Sequence, residues 1–263
     1  MGDLIMHEYL KQTPHIVAHL DILGARKKMS SQETRYIFLQ QINEVYTSVN
    51  SQLSAVTKHI RESMFFRIFS DNILVAKSFD RPEQRLGCVV HIARFCTMFQ
   101  FLALSKGLFV RGAIAYGDFV GNETFVFGEA LVNAYEAETN RTIYPRVIID
   151  SSVFNDTPPK MWYVLSKNDF LKGLVQCDFD GQWYVSPFAA MPPNSRLINK
   201  DRYLENIKEN LFREIQKTTQ EKHRQKYFWL VNKFNDYCQN NPEYEALQIP
   251  LSEIDSKIPE VNL

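Results

Sequence analysis

The sequence predicts an α+β fold in which helices pack against an antiparallel β-sheet. Short apolar runs rich in β-branched and aromatic residues alternate with longer segments of helical periodicity. Two of these runs flank Ser70-Asp71-Asn72, three residues that favour turns, so residues 64–77 are expected to form a tight hairpin. Because 45% of the 263 residues are hydrophobic, the chain has enough apolar side chains for a packed core.

The N-terminal part of the chain is expected to supply a strand and two long helices around this hairpin. His15–Asp21 is apolar on both faces, which is typical of a central strand. One apolar face recurs over residues 32–60 and a broader one over residues 83–105, so both segments are predicted to be helices. Gly107 is expected to end the second of them.

The middle of the chain is expected to complete the sheet. A short helix is predicted to run through Glu138, between two of the strands. The strands are predicted at Leu108–Gly117, Arg146–Asp150, Trp162–Leu165 and within Val175–Val185, where Asp180-Gly181 suits a hairpin turn. This order of elements is typical of a ferredoxin-like sandwich.

The C-terminal part reads as helical from Arg202 to about Asn240. Its polar middle, Gln216–Arg224, fits either a loop or a solvated helix. The tail after Pro242 is predicted to be a surface extension. We therefore expect a sheet-bearing domain over residues 1–190 and a helical extension packed on it over residues 191–263.

Composition excludes several classes of protein. Basic and acidic residues number 30 each, and a net charge of zero argues against a protein that coats nucleic acid or a membrane. The four cysteines form no C-x-x-C pair, which argues against structural zinc and a disulfide framework; Cys88 and Cys96 are predicted to be buried thiols. The N-terminus lacks the apolar core of a signal peptide, and no apolar run is expected to span a membrane. We expect a soluble, cytoplasmic protein.

Two aspartates lie at the ends of apolar strands, where burying a carboxylate costs free energy. Asp21 closes the apolar run of the first strand, and Asp71 lies at the tip of the hairpin. If the two strands are neighbours, the carboxylates offer oxygen ligands to Mg²⁺ or Mn²⁺, which usually accompany the phosphates of a substrate. The alternative is that each aspartate only caps backbone N–H groups of its own turn.

Three other polar residues interrupt buried strands. His15 and His19 share the parity of Asp21, so they are either metal ligands or, as the commoner case, histidines of the core or of an interface. Arg111 lies within the apolar run Leu108–Gly117, where it needs either a bound anion or an internal carboxylate.

Taken in order, these residues resemble the catalytic domain of class III nucleotidyl cyclases. The shared pattern is a strand ending in Asp21, a hairpin carrying Asp71, an arginine-to-glycine motif over Arg111–Gly117, and an aromatic-Gly-acidic-Ala helix start at Phe127–Ala130. The first glycine of the third motif comes one residue early. The resemblance covers roughly residues 13–185 and implies the class III cyclase homology fold, a ferredoxin-like sheet flanked by helices.

The resemblance also implies roles for individual residues. Two divalent ions, Mn²⁺ or Mg²⁺, would be held at Asp21, Ile22 and Asp71. Backbone N–H groups at Ile22, Leu23 and Gly24 would face phosphate oxygens, and Arg111 would pair with the phosphates as pyrophosphate leaves. Asp21, Asp71 and Arg111 would thus carry the chemistry.

The base-reading positions depart from the purine cyclases. They hold Arg67 and Phe125 here, in place of lysine with aspartate or glutamate with cysteine. Arginine offers donors to a pyrimidine carbonyl, and a phenylalanine can stack on the base or narrow the pocket. The family's transition-state asparagine and arginine positions also differ. They hold Val132 and Glu136, while Asn133 and Arg141 lie nearby but out of register.

With these departures, the chain resembles the bacterial pyrimidine cyclases of the Pycsar anti-phage system. The resemblance also includes the string Phe69–Ile73, the core Arg-Gly-Ala-Ile-x-x-Gly and the string Lys226–Leu230. That resemblance implies a synthase of cyclic UMP or cyclic CMP whose product activates a separate effector. It also implies a homodimer with sites at the interface, where the partner contributes Arg67 and Phe125. A purine cyclase with unusual base contacts and a catalytically silent nucleotide-binding module are the alternatives, and the sequence leaves the choice between UTP and CTP open.

Overall fold

A mixed β-sheet forms the centre of the molecule in a computed structural model that describes residues 11–56, 64–155, 173–189 and 200–255. The sheet of the described residues contains β1 (Thr13–Ile22), β2 (Met64–Phe69), β3 (Asn72–Ser78), β4 (Val110–Gly121), β5 (Val126–Phe127), β6 (Val147–Ile149), β7 (Val175–Cys177) and β8 (Trp183–Val185). The predicted first strand, hairpin and later strands are confirmed, except Trp162–Leu165, which lies outside the described residues.

Helices flank this sheet. Within the described ranges they are α1 (Ala25–Lys28), α2 (Gln32–Val56), α3 (Arg85–Ser105), α4 (Glu129–Arg141), α5 (Lys200–Lys217), α6 (Glu221–Gln239) and α7 (Leu251–Asp255). Gly107 follows α3 with a φ of 71°, the left-handed conformation expected of a glycine after a helix. The α+β class predicted from the sequence is therefore confirmed.

The prediction of a purely antiparallel sheet is wrong in one place. The strands lie in the order β2-β3-β1-β4-β6-β8-β7, with β5 against β4, and the pair β4–β6 is parallel. The reason is α4, which carries the chain from β4 back to the starting end before β6 begins, as a parallel pair requires.

The alternation of side chains along β1 divides the core into two layers. Ile16, Ala18 and Leu20 belong to the large apolar core that also contains residues of α2, α3, α5 and α6. Val17 points to the other face and packs with Ala130 of α4 in a smaller cluster. His15, His19 and Asp21 share the parity of Val17, so they project toward the α4 side of the sheet.

The C-terminal helices contribute to the large core. Leu204 and Ile207 of α5 and Leu230 of α6 are fully buried in it. Of the polar middle Gln216–Arg224, only residues 218–220 form a loop; the residues on either side belong to exposed ends of α5 and α6, so each interpretation holds for part of the segment.

The prediction of a surface extension after Pro242 is wrong. A 3₁₀ turn over Pro242–Leu247 is followed by α7, and Ile249 and Ile254 are both buried. The tail stays on the fold because it carries these apolar side chains, whose burial removes hydrocarbon from water.

One prediction about membranes also needs correction. Among the described residues, the segment Pro82–Ser105, which includes α3, is long and apolar enough to cross a bilayer by length and composition. Of its most apolar window, 72% is buried inside the fold. Cys88 and Cys96 lie on this helix and are buried, as predicted.

Candidate functional site

Three adjacent strands bring Asp21, Asp71 and Arg111 to one end of the sheet. β1 lies between β3 and β4, and Asp21 faces Asn72 on one side and Arg111 on the other. The Ile22 N–H donates to the carbonyl of Asp71 at 3.1 Å, which fixes the hairpin tip beside the end of β1. The two aspartates predicted to share a site therefore lie at neighbouring positions of the backbone in the fold.

Arg111 is held between two carboxylates. Its Nε lies 3.0 Å from Asp21 Oδ2 and 2.7 Å from Glu138 Oε1. Of the two explanations offered for an arginine in this strand, the internal carboxylate is thus present. Its side chain is 27% exposed, and a guanidinium has N–H groups besides Nε that can meet an anion.

The sequence reasoning missed Glu138. It lies eight residues after Ala130 and four after Ala134, both buried residues of α4, so it continues the buried face of that helix. A glutamate at this spacing is the signal that could have identified it. Its side chain is only 3% exposed.

Glu138 is an under-satisfied carboxylate. Burial raises the pKa of Glu138 above its ordinary value; the charge of Arg111 opposes this shift and that of Asp21 adds to it. Arg111 Nε carries one hydrogen and donates it to Asp21, so among the described residues Glu138 Oε1 has no hydrogen-bond donor. The end of the sheet therefore holds a charged cluster that is not fully compensated.

The simple turn-capping interpretation of the two aspartates does not fit the contacts. The Asp21 carboxylate is bonded to Arg111, and that of Asp71 accepts from the Asn72 side chain at 3.4 Å. In the part of the chain that the structure describes, no backbone N–H donates to either carboxylate. Neither aspartate is needed to cap its own turn.

The backbone after Asp21 differs from what the resemblance implies. The Ile22 and Leu23 N–H groups donate to the carbonyls of Asp71 and Phe109, at 3.1 and 2.8 Å. They are engaged because the end of β1 is still paired with its neighbours, so they do not face open space. Gly24 is exposed and has a φ of 74° at the start of α1.

Arg67 and Phe125 meet at the Asn122 loop. Arg67 Nη2 donates to the Asn122 carbonyl, and the Phe125 N–H donates to Asn122 Oδ1 at 3.0 Å. Arg67 lies opposite Leu74, which lies opposite His19. Arg67 therefore shares the face of Asp21 but lies two strands away, about 10 Å across the sheet.

The two out-of-register residues of α4 have structural partners. Arg141 forms an ion pair with Asp150, which also accepts from the Ser152 N–H at 2.8 Å. Asn133 Nδ2 donates to the Tyr116 carbonyl at 3.3 Å. Val132 and Glu136, the residues in register, are exposed. No side chain of these four contacts Asp21, Asp71 or Arg111 in the contacts described.

The histidines fit the core interpretation. His19 is 3% exposed and packs edge-on against Tyr135, with ring centroids 5.5 Å apart. His15 Nδ1 lies 2.6 Å from the Thr13 carbonyl oxygen. Burial lowers the pKa of both imidazoles, so their neutral forms are favoured.

Lys226 of α6 extends the charged cluster. Burial lowers the pKa of Lys226; the charges of Arg111 and Lys222 lower it further, while that of Asp21 opposes the shift. A C-terminal helix thus brings a cation near the predicted site. In the sequence, Lys226 is recognisable only as the first residue of the string Lys226–Leu230.

The donor set suits a magnesium-like ion. Asp21 and Asp71 supply carboxylate oxygens, and Ile22 can supply only a backbone oxygen because its side chain is a buried hydrocarbon. Mg²⁺ is commonly held by one or two carboxylates together with water and substrate phosphates. Within the described residues, no group of three or more His, Cys, Asp or Glu side chains forms a complete cage for a metal.

Comparison with known proteins gives no family assignment. No family model matches the chain, and no curated protein matches it significantly. The functional interpretation depends on the residues of the site and on their order along the chain.

Proposed function

We propose that the protein is a metal-dependent pyrimidine nucleotide cyclase that converts UTP or CTP into the 3′,5′-cyclic monophosphate and pyrophosphate. The observation that carries the proposal is the convergence of Asp21, Asp71 and Arg111 at the ends of three adjacent strands. These are the three residues that the class III cyclase motifs require together, and they are far apart in sequence.

The carboxylates would hold the divalent ions. Asp21 and Asp71, with a backbone oxygen of Ile22, form the donor set. A divalent ion held by these residues would supply the charge that lowers the pKa of the ribose 3′-hydroxyl and that offsets the charge of the triphosphate.

Arg111 would stabilise the leaving group. Ring closure forms the bond between ribose O3′ and the α-phosphorus, breaks the bond from that phosphorus to the oxygen bridging to the β-phosphate, and releases the 3′-hydroxyl proton. Negative charge then accumulates on the departing pyrophosphate. The N–H groups of Arg111 that do not contact Asp21 or Glu138 are suited to pair with it.

Arg67 and Phe125 would read the base. Their convergence on the Asn122 loop supports a shared role, with Arg67 donating to a pyrimidine carbonyl and Phe125, 36% exposed, packing against the ring. In the homodimer that the resemblance implies, these two residues come from the partner.

The surface of α4 supports a homodimer. Val132 and Tyr135 are 52% and 54% exposed, and Phe127 just before the helix is 63% exposed. Large apolar side chains grouped on one surface are typical of an interaction site. We further propose that the protein is cytoplasmic; the resemblance implies that its product is a second messenger in anti-phage defence, acting on a separate effector.

A catalytically silent nucleotide-binding module is the second candidate. It is favoured by the contacts of Asn133 and Arg141, whose polar groups bond to the Tyr116 carbonyl and to Asp150. Without another residue to stabilise the transition state, nucleotide could bind and remain uncyclised.

A direct assay separates the two candidates. Purified protein is incubated with Mn²⁺ and each of the four nucleoside triphosphates separately, and products are identified by mass spectrometry. We expect cyclic UMP or cyclic CMP. Asp71→Ala should lower its formation by about 100-fold or more, as expected for the loss of a group that organises charge stabilisation.

Asp80→Ala is the matched control, because Asp80 is an exposed turn aspartate at the opposite end of β3. It should leave activity unchanged. Cyclic AMP or cyclic GMP as product would refute the pyrimidine assignment. Nucleotide binding without any cyclic product would favour the silent module.

A further inference from the structure

A cavity lies beside the candidate site, where the C-terminal helices meet the turn after β1. Its volume is about 690 Å³. It is lined by the turn that contains Gly24, by α1, by the first half of α2, and by the end of α5 and the start of α6. This volume is within the range of about 300–1,000 Å³ typical of small-molecule sites.

The cavity has a strong excess of positive charge. Its lining includes Lys27, Lys28, Lys217 and Lys226, against a single carboxylate, Glu214. In the part of the chain that the structure describes, none of the four lysines forms an ion pair with a carboxylate. Among the lining side chains, four lysines and one glutamate leave an excess of three positive charges.

The electrostatics of the lysines are consistent with this excess. Burial lowers the pKa of Lys28; Glu214 opposes the shift, and the charges of Arg213, Lys217 and Lys27 add to it. Lys28 and Lys226 are partly buried near other positive charges, which is unfavourable until a counter-charge binds. The charges of the lining therefore favour the binding of an anion.

The position of the lysines selects the kind of anion. They come from α1, from the end of α5 and from the first turns of α6, so segments far apart in the chain bring several positive charges to one cavity. A chain of phosphates carries several negative charges, which matches the net charge of the lining better than a single carboxylate does.

We propose that this cavity binds a polyphosphate group, held between Lys28 of α1 and Lys217 and Lys226 on the C-terminal helices. The proposal gives the C-terminal extension a binding role that the cyclase resemblance, which ends near residue 185, does not include. It depends on the lining of the cavity and requires no cyclisation chemistry. Lys226, whose charge interacts with those of Asp21 and Arg111, connects the cavity to the candidate site.

Two sources can supply such a group. One is the triphosphate tail of a nucleotide bound at the candidate site, and the other is a separate polyphosphate ligand. Both present the same chemistry to the lysines, so competition between ligands distinguishes them.

Isothermal titration calorimetry tests the proposal, with inorganic tripolyphosphate as the probe. The full-length protein is titrated without metal and at fixed ionic strength. Saturable binding is expected. Lys28→Gln and Lys226→Gln should each weaken it by about tenfold, the loss expected for one charge-assisted hydrogen bond. Lys222→Gln is the matched control: Lys222 is an exposed lysine one turn before Lys226 and does not line the cavity.

Absence of saturable binding, or equal affinity in the two cavity variants and the control, would overturn the proposal. Thermal unfolding of each variant verifies that the fold is retained. If UTP displaces tripolyphosphate and Lys226→Gln weakens both ligands, the cavity receives the nucleotide's tail. If UTP binds Lys226→Gln normally while tripolyphosphate does not, the cavity serves a separate ligand. Failure of the cyclase assay would leave these titrations interpretable, because they measure binding alone.

Discussion

Two arginine clusters in this fold use the same residue types in opposite ways. Arg146 is fully buried and pairs with Asp178 and Asp180. Asp178 also accepts from Trp229 Nε1 at 2.7 Å and lies 3.1 Å from Lys233 Nζ. Arg111, by contrast, is partly exposed at the end of the sheet.

The Arg111 cluster is left incomplete. Its buried carboxylate, Glu138, has an oxygen that receives no hydrogen among the described residues, and Asp21 is 19% exposed. The Arg146 cluster joins the β7–β8 hairpin to α6 and satisfies its buried carboxylate, Asp178, although Arg146 Nε has no acceptor among the described residues. Both clusters contain a buried carboxylate. They differ in whether that carboxylate is fully hydrogen-bonded within the protein, and this difference separates a cluster that stabilises the fold from one able to bind a ligand.

The largest expected effect comes from breaking the Arg146 cluster. Asp178→Ala should lower the free energy of unfolding by about 3–5 kcal/mol, because it leaves a buried guanidinium and a buried indole N–H short of their acceptor. Urea denaturation followed by circular dichroism at neutral pH measures the loss. Asp180→Ala, at a carboxylate that is 30% exposed, should cost clearly less. Equal losses for the two variants would contradict this account of the cluster.

A pH titration should separate the two buried carboxylates. Burial alone would raise the pKa of Asp178, but hydrogen bonds from Lys233 and Trp229 and the charge of Lys233 lower it below its ordinary value. Its contribution to stability is therefore present above the ordinary aspartate pKa and is lost as pH falls toward the folded value. Burial leaves the pKa of Glu138 raised, so its contribution is present at low pH and is lost as pH rises through the folded value.

Two differences in the free energy of unfolding are measured across the acid range. The first is wild type minus Asp178→Asn, and the second is wild type minus Glu138→Gln. The first difference should grow with rising pH and the second should shrink, by about 1.4 kcal/mol for each unit of pKa shift. Slopes of the same sign would show that the two clusters are electrostatically alike.

The smallest expected effect on stability is that of Asp21→Asn. Asp21 and Arg111 are both partly exposed, and Arg111 keeps Glu138 as a partner, so the free energy of unfolding should change by less than about 1 kcal/mol. The variant removes a negative charge that raises the pKa of Glu138, so this pKa should fall, as carboxyl NMR titration can measure. A loss as large as that of Asp178→Ala would mean that Asp21 is a structural residue.

Much of this organisation follows from local patterns. The apolar run His15–Asp21 identified a central strand, and the turn residues Ser70-Asp71-Asn72 identified the hairpin, because strand and turn preferences act over a few residues. Asp21 and Asp71 were identified by a local pattern as well, because each is a charged residue at the end of an apolar run. Glu138 was missed because its partner Arg111 lies 27 positions earlier and a helix must fold back to bring them together.

The sequence by itself determined the α+β class, the central strand, the hairpin and the three charged residues placed at strand ends, since each depends on the hydrophobic pattern of neighbouring residues. Only the tertiary structure decided that β4 and β6 run parallel, that Arg111 lies between Asp21 and Glu138, and that Lys226 approaches them from a C-terminal helix. The physical reason is the distance along the chain over which each interaction acts. Periodicity and turn chemistry act between residues close in sequence, whereas the pairing of charges depends on packing between segments far apart in the chain.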